Sequence, residues 1–122
     1  MAYIGGGPLG AVVRQQRLWL DRVATDIFLD TPAWFLWLQT ATHFRYALRS
    51  PSYYSLTLRK EKRRGGWYWY AYLKTEAKLH NAYAGRSESL SATRLDAVGQ
   101  ILWAKIRRQA ALAHEKKKEA PS

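Results

Sequence analysis

The sequence predicts an α+β fold with N-terminal helices, a three-stranded antiparallel β-sheet and a C-terminal helix packed on one sheet face. Between residues 53 and 84, apolar and polar residues alternate in short segments separated by turn residues, as in antiparallel strands. The segments on either side space their apolar residues by three and four, as amphipathic helices do. With 122 residues, 48% of them hydrophobic, the chain can bury the core of one domain.

The N-terminal part is predicted to be helical over residues 11–52, after a flexible, glycine-rich lead-in at residues 1–10. A first amphipathic helix is indicated by the apolar positions Val12, Val13, Leu18, Trp19, Leu20, Val23, Ile27 and Phe28. Thr31 is then a suitable N-cap and Pro32 suits a first helical turn. The short helix that follows, to about Thr42, is apolar nearly all round and must be buried. His43 to Ser52 is predicted to be a connector.

The second part, residues 53–112, holds the sheet and the last helix. Strands are predicted from Tyr53 to Lys62, Trp67 to Lys74 and Lys78 to Ala84. The first turn is predicted at Arg64-Gly65 or at the four residues Arg63 to Gly66. Ser91 is predicted to cap the final helix. The stripe that this helix would turn towards the sheet is Leu95, Val98, Leu102 and Ile106. Residues 113–122 are predicted to be a basic tail that frays or stays disordered.

The period of two assigns the strand residues to two faces of the sheet. The apolar face is predicted to hold Leu56, Leu58, Trp67, Trp69, Ala71, Leu73, His80, Ala82 and Ala84. The other face is tyrosine-rich, polar and cationic, with Thr57, Arg59, Glu61, Arg63, Tyr68, Tyr70, Tyr72, Leu79, Asn81 and Tyr83.

The charge balance predicts a polyanionic partner. Twenty Lys and Arg residues stand against nine Asp and Glu, which gives a net charge of +11. Such an excess repels itself, and a polyanion would relieve that repulsion. Nucleic acid is therefore the leading partner class and an anionic membrane surface the second.

Several other classes are disfavoured. No cysteine is present, which excludes disulfides, thiolate zinc sites and a cysteine nucleophile. No apolar run approaches the ~18 residues of a membrane span, and the first residues lack the order of a secretory signal, so we expect a cytoplasmic protein. No phosphate loop, nucleophile elbow or H-E-x-x-H motif occurs. His43, His80 and His114 fall in different elements, so we expect no catalysis, metal or cofactor.

Two groups of residues are candidates for contacting nucleic acid. The first hairpin carries Arg59, Lys60, Glu61, Lys62, Arg63 and Arg64, five of them cationic, which would hold phosphates. The second strand and its neighbour carry Tyr68, Tyr70, Tyr72 and Tyr83, which would stack on bases or contact groove edges. The alternatives are a charged edge that prevents aggregation and tyrosines that only stabilise the sheet or lie beneath the N-terminal helices.

Arg86 lies in the loop before the last helix, whose N-terminal N–H groups favour an anion. The alternative there is helix capping alone.

Trp67 and Trp69 are predicted to be core residues. On the last helix, Lys105, Arg107 and Arg108 would reach a neighbouring phosphate or only offset the helix dipole.

Two resemblances begin at GGWYWYAY (65–72), KLHNAYAGRS (78–87) and LSATRLDAV (90–98). The order of three strands and a helix, with an aromatic middle strand, resembles plant Apetala-type DNA-binding domains and the arm-binding domains of tyrosine integrases. That resemblance implies a sheet lying in the DNA major groove. The AWFLWL, LRKE, WYWYAY and AYAGRS blocks resemble an uncharacterised bacterial segment at the front of LuxR/MalT-like transcriptional regulators. That one implies a regulatory or DNA-linked setting and assigns no activity.

Together these observations predict a non-catalytic nucleic-acid-binding protein, regulatory or linked to a mobile element, with DNA favoured over RNA. Arg59 and Arg63 would contact base edges or phosphates, and Lys62 and Arg64 would contact phosphates alone. Lys60 and Arg86 are further candidates for contacting the nucleic acid. Three alternatives stay open: a ribonucleoprotein subunit, a protein-interaction or self-association module using the Trp34 and Trp37 helix, and membrane association through the basic last helix.

Overall fold

The computed structural model describes residues 10–48, 55–75 and 78–119, with side chains as far as Leu112. The fold is α+β, with a seven-stranded mixed sheet and two α-helices in these residues. In chain order the elements are β1 (Ala11–Arg14), β2 (Arg17–Leu20), β3 (Val23–Phe28), α1 (Pro32–Thr40), β4 (His43–Ala47), β5 (Ser55–Arg63), β6 (Gly66–Lys74), β7 (Leu79–Gly85) and α2 (Ala92–Glu119). The strands lie in the order β3-β2-β1-β4-β5-β6-β7.

The predicted fold class is wrong, because the sheet has seven strands in mixed orientation and not three antiparallel ones. Residues 11–28 form three antiparallel strands and not an amphipathic helix. Two-residue turns join these strands at Gln15-Gln16 and Asp21-Arg22, and all four turn residues have positive φ angles between 50° and 72°. Positive φ at both central positions is what a tight two-residue hairpin needs. Because these strands are short and their turns contain no glycine, their apolar residues recur every three or four positions, as in an amphipathic helix.

The predicted connector also contains a strand. β4 turns His43 and Arg45 to one side and buries Phe44 and Tyr46 on the other. It pairs antiparallel with β5 and parallel with β1, so it joins the N-terminal strands to the C-terminal ones in one sheet. The predicted break at Ser50-Pro51 and the predicted strand start at Tyr53 lie outside the described residues.

The C-terminal strands and helix follow the prediction closely. Arg63 pairs with Gly66, so the first turn is Arg64-Gly65 as expected. The predicted caps are confirmed, since the Thr31 Oγ1 accepts from the Trp34 N–H at 3.3 Å and the Ser91 Oγ accepts from the Arg94 N–H at 3.1 Å. The backbone of α2 continues to Glu119, well past the predicted end of the domain at residue 112.

The core lies between the two helices and one face of the sheet. Trp34 on α1 is fully buried, and its ring packs edge-on against Phe44, which in turn meets Trp69. The Trp34 Nε1 donates to the Leu90 carbonyl at 2.7 Å, which ties α1 to the segment before α2. From α2 the buried side chains are Leu95, Val98 and Leu102, as the predicted stripe requires. Both helices use this face, so the opposite face of the sheet is uncovered by them.

Candidate nucleic-acid interface

The sheet face opposite the helices, called the open face below, carries the tyrosines that the sequence analysis singled out. The predicted division of faces is confirmed for β5, β6 and β7, because the residues assigned to the apolar face are buried except Trp67, which is 58% exposed. On the open face Tyr68, Tyr70 and Tyr72 are half-buried and Tyr83 is exposed. The alternative in which N-terminal helices cover the tyrosines is wrong, since α1 packs on the other face.

The tyrosine rings on the open face contact one another. Tyr70 lies opposite Tyr83 across the β6–β7 pair, and their ring centroids are 5.6 Å apart. The Tyr68 ring lies 6.1 Å from the Tyr83 ring. Cross-strand aromatic pairs of this kind hold their rings in fixed positions. The face therefore presents a pre-arranged group of rings with their hydroxyls.

An arginine lies over the ring of each β6 tyrosine. The distance from the guanidinium carbon to the ring centroid is 4.2 Å for Arg63 over Tyr70 and 5.9 Å for Arg59 over Tyr72. At the edge of the sheet, Arg86 lies 5.4 Å from the Tyr68 ring, and its Nη2 is 3.5 Å from the Tyr68 hydroxyl. A planar guanidinium that lies over a ring can direct its N–H edges to a phosphate without leaving the ring.

Glu61 is the acidic residue among these groups. Its Oε1 accepts from the Arg63 Nη2 at 2.5 Å, and its Oε2 accepts from the Tyr72 hydroxyl. The Tyr72 hydrogen bond, with help from Arg63, holds the pKa of Glu61 below its usual range, although partial burial opposes this. Burial and the Glu61 carboxylate together raise the pKa of Tyr72. Glu61 is thus ionised at neutral pH and occupies Arg63 in the unbound protein.

Two of the predicted phosphate-binding lysines lie on the helix side of the sheet. The Lys60 ammonium donates to the Leu38 carbonyl at 2.7 Å and to the Gln39 carbonyl at 3.0 Å, at the C-terminal end of α1. Burial there lowers the pKa of Lys60. Lys62 lies 6.0 Å above the Trp67 ring. Lys60 therefore binds the end of α1, and both lysines lie outside the open-face site.

The expected anion site at the start of α2 is already occupied by the chain itself. The Ala92 N–H donates to the Asp30 Oδ1 at 2.9 Å, and the Arg94 N–H donates to Ser91.

Arg64 lies at the tip of the β5–β6 hairpin, exposed and with a φ of 52°. Arg64 is thus close to the open face but beyond its tyrosines.

Two cations of α2 support the sheet. The Arg94 Nε donates to the Ala84 carbonyl at 2.8 Å and the Lys105 Nζ donates to the Asn81 carbonyl at 2.8 Å. Both carbonyls belong to β7, a strand at the edge of the sheet, and covered edges resist pairing with other chains. Lys105, which the sequence analysis offered as a phosphate contact, thus has a structural partner. Arg107 and Arg108 are exposed on α2, which packs on the sheet face opposite the open face, so both lie outside the open-face site.

Sequence reasoning missed several cations of the open face. Lys74 lines a shallow concavity of about 360 Å³ together with Thr57, Arg59, Tyr72 and Leu79. Arg45 on β4 is exposed on the same face, opposite Thr57. The alternation of polar and apolar residues from His43 to Ala47 could have revealed Arg45, because that alternation is typical of a strand.

No family model, curated protein or solved structure matches this chain. The similarity to the front segment of LuxR/MalT-like regulators therefore stays a resemblance. Within the described part of the chain, neither helix has the length and apolar character that crossing a bilayer requires. Among the same residues, no three His, Asp or Glu side chains are grouped as metal ligands would be.

Proposed function

We propose that this is a non-catalytic nucleic-acid-binding protein and that the open face of β5, β6 and β7 is its interface. The observation that carries the proposal is the row of arginine–tyrosine pairs on that uncovered face: Arg63 with Tyr70, Arg59 with Tyr72, and Arg86 with Tyr68. The net charge of +11 supplies the long-range attraction for a polyanion.

The pairs suit the two chemical parts of a nucleic acid. A guanidinium binds a phosphate through two parallel N–H groups, and each such contact releases counterions. A tyrosine ring stacks on a base of any identity, and its hydroxyl can donate to a phosphate or a base edge. Binding by these groups would depend strongly on salt and only modestly on sequence. DNA remains the favoured ligand, as the sequence resemblances imply, with RNA as the alternative.

Docking of a protein through the Trp34 and Trp37 helix has less support. Trp34 is fully buried, and the Trp37 ring stacks on it at 5.5 Å and meets Phe44 at 5.8 Å. These tryptophans are therefore used inside the chain. Among the large apolar residues of α1, Leu36 is exposed, at 67%.

The test is a fluorescence-anisotropy titration of labelled oligonucleotides with the intact protein at about 50 and 200 mM salt. We expect affinity to fall steeply with salt. The Arg59→Gln/Arg63→Gln variant should bind more weakly and should reduce the slope of log K against log salt by about 1.4 to 1.8, the value for two lost phosphate contacts. Competition between DNA and RNA of equal length identifies the preferred ligand.

The matched control is Arg107→Gln/Arg108→Gln, which removes the same charge from an exposed part of α2. The control should keep the salt slope of the unmodified protein. The proposal fails if the unmodified protein does not bind any oligonucleotide, or if both variants weaken binding equally.

A further inference from the structure

We infer that the interface continues beyond β5 across β4 and β1 to β2 and β3, and that its ligand is a single-stranded nucleic acid lying across the strands. This inference rests on the proposed function and names both the rest of the site and the class of ligand. It starts from the N-terminal strands, which the sequence alone did not reveal.

Strand register joins the two halves of the open face into one continuous row. Trp19 on β2 pairs with Val12 on β1, and Val12 pairs with Arg45 on β4. Arg45 pairs with Thr57 on β5, and Thr57 pairs with Tyr72 on β6. Residues paired in this way point to the same side of a sheet. The indole of Trp19 and the phenol of Tyr72 thus lie on one surface, with Arg45 between them.

The N-terminal half repeats the arginine–ring pairing of the tyrosine half. The guanidinium carbon of Arg14 lies 4.5 Å from the centre of the Trp19 ring, and that of Arg17 lies 4.5 Å from the centre of the Phe28 ring. Both distances are close to the 4.2 Å between Arg63 and the Tyr70 ring. The same combination of cation and flat ring therefore occurs on both halves of one face.

The cations lie on both sides of the central row. Arg14 and Arg17 pair with each other on one side of it, which is also the side of Lys74. Arg59 lies on the opposite side, where His43 pairs with it. The central row carries two rings, Trp19 and Tyr72, with Arg45 between them, and cations lie along both of its flanks. That arrangement suits a strand with bases over the two rings and phosphates beside the cations. The acids nearby are Glu61, already bonded to Arg63, and Asp26 on β3.

Trp19 also has an unused donor. Its Nε1 is buried and has no hydrogen-bond partner among the described residues. Buried donors are normally paired, so an unpaired one calls for an explanation. Arg14 covers the Trp19 ring in the unbound protein. An oxygen of the ligand would supply the missing acceptor once the side chains around the indole shift.

The width of the face disfavours insertion of both halves across one duplex major groove. Neighbouring strands are about 4.8 Å apart, so the row from β2 to β6 spans about 19 Å and the whole sheet about 29 Å. The major groove of B-DNA is about 12 Å wide. A single strand has no such limit, and aromatic residues on β-sheets bind splayed bases in known RNA-binding modules.

The experiment compares the anisotropy of labelled single-stranded thymidine oligomers of twelve and four nucleotides and of a hairpin duplex. We expect the 12-mer to bind more tightly than the duplex and far more tightly than the 4-mer. The Arg14→Gln/Arg17→Gln variant should weaken 12-mer binding about tenfold, as the loss of two phosphate contacts implies. The Arg107→Gln/Arg108→Gln variant serves as the charge-matched control and should bind as the unmodified protein does.

The outcomes separate this inference from the proposed function. If Arg59→Gln/Arg63→Gln weakens binding and Arg14→Gln/Arg17→Gln does not, the proposed function stands and the extended interface is overturned. Tighter binding of the duplex than of the 12-mer overturns the single-strand assignment alone. Absence of any binding overturns both. A second measurement uses the unmodified protein: a 12-mer containing 4-thiothymidine should cross-link to the peptide that contains Trp19, and cross-links confined to β5–β7 would contradict the inference.

Discussion

Replacing Glu61 by glutamine should strengthen nucleic-acid binding, although the change removes a contact from the folded protein. The Glu61 carboxylate accepts from Arg63 at 2.5 Å and also from the Tyr72 hydroxyl. It therefore occupies a cation of the proposed interface and places a negative charge beside the phosphates. Glutamine keeps an oxygen for the Tyr72 hydroxyl and releases the Arg63 guanidinium.

The size of the effect follows from the charge and its distance to the ligand. A phosphate bound at the free edge of the Arg63 guanidinium would lie roughly 6 Å from Glu61, where two unit charges in water repel by about 0.7 kcal/mol. Removing that repulsion is a factor of about three in affinity for each adjacent phosphate. Arg63 also becomes available for one further phosphate. We expect Glu61→Gln to bind about three- to tenfold more tightly and to steepen the salt slope by about 0.7 for a single strand.

The assay is the anisotropy titration at two salt concentrations and neutral pH. Asp96→Asn is the matched control, because the Asp96 Oδ1 accepts from the Tyr46 hydroxyl at 2.6 Å on the helix side of the sheet. That variant loses the same charge and the same kind of contact, and its affinity should stay near that of the unmodified protein. Unchanged or weaker binding by Glu61→Gln would refute the reasoning, and so would an equal gain in Asp96→Asn.

Three further predictions concern stability. Because the Tyr72 hydroxyl and Arg63 hold the pKa of Glu61 low, its stabilising contribution is present above pH ~4.5 and is lost as the pH falls through the folded-state pKa. Denaturant unfolding should thus show the unmodified protein more stable than Glu61→Gln at pH 6 by less than about 1 kcal/mol, with the difference vanishing once the pH has fallen below the folded-state pKa of Glu61. Lys60→Met should cost about 1 to 2 kcal/mol in the free energy of unfolding, because two carbonyls of α1 lose a charged donor, and should leave the salt slope of binding unchanged. A changed salt slope in Lys60→Met would mean that Lys60 contacts the nucleic acid. Gly99→Ala places a Cβ 2.3 Å from the Leu48 Cδ2, so overpacking of about 1–3 kcal/mol should exceed the helix-propensity gain of about 1 kcal/mol. The double variant with Leu48→Val should lose less stability than the two single changes added together, and simple additivity would contradict the clash.

The C-terminal half was predictable because its local signals agree with one another. Leu56 and Leu58 alternate with polar residues on β5, tyrosines alternate with core residues on β6, and Gly65 supplies a positive φ of 80° in the turn between them. Each signal depends only on neighbouring residues. The open face of these strands, with Tyr70 and Arg59, followed from the same period of two.

The N-terminal half was not predictable from those rules. Turns such as Gln15-Gln16 have no asparagine or glycine, the residues that normally mark a tight hairpin, and their positive φ angles are tolerated only because strand pairing on both sides holds them. With the turns unrecognised, the closely spaced apolar residues had the period of a helix. The cations of that half, Arg14, Arg17 and Arg45, could not be assigned to the open face until the strands were known.

The parallel contact between β1 and β4 has a consequence for how the protein reaches its folded state. Each of the two antiparallel units, β1–β3 and β4–β7, forms from residues close together in the chain, whereas Val12 and Val13 meet Arg45 and Tyr46 roughly 30 positions away. Closing that long loop costs entropy that the hairpins avoid, so we expect the two units to assemble separately and to dock last. A ligand that needs both units side by side would consequently select chains that have completed folding.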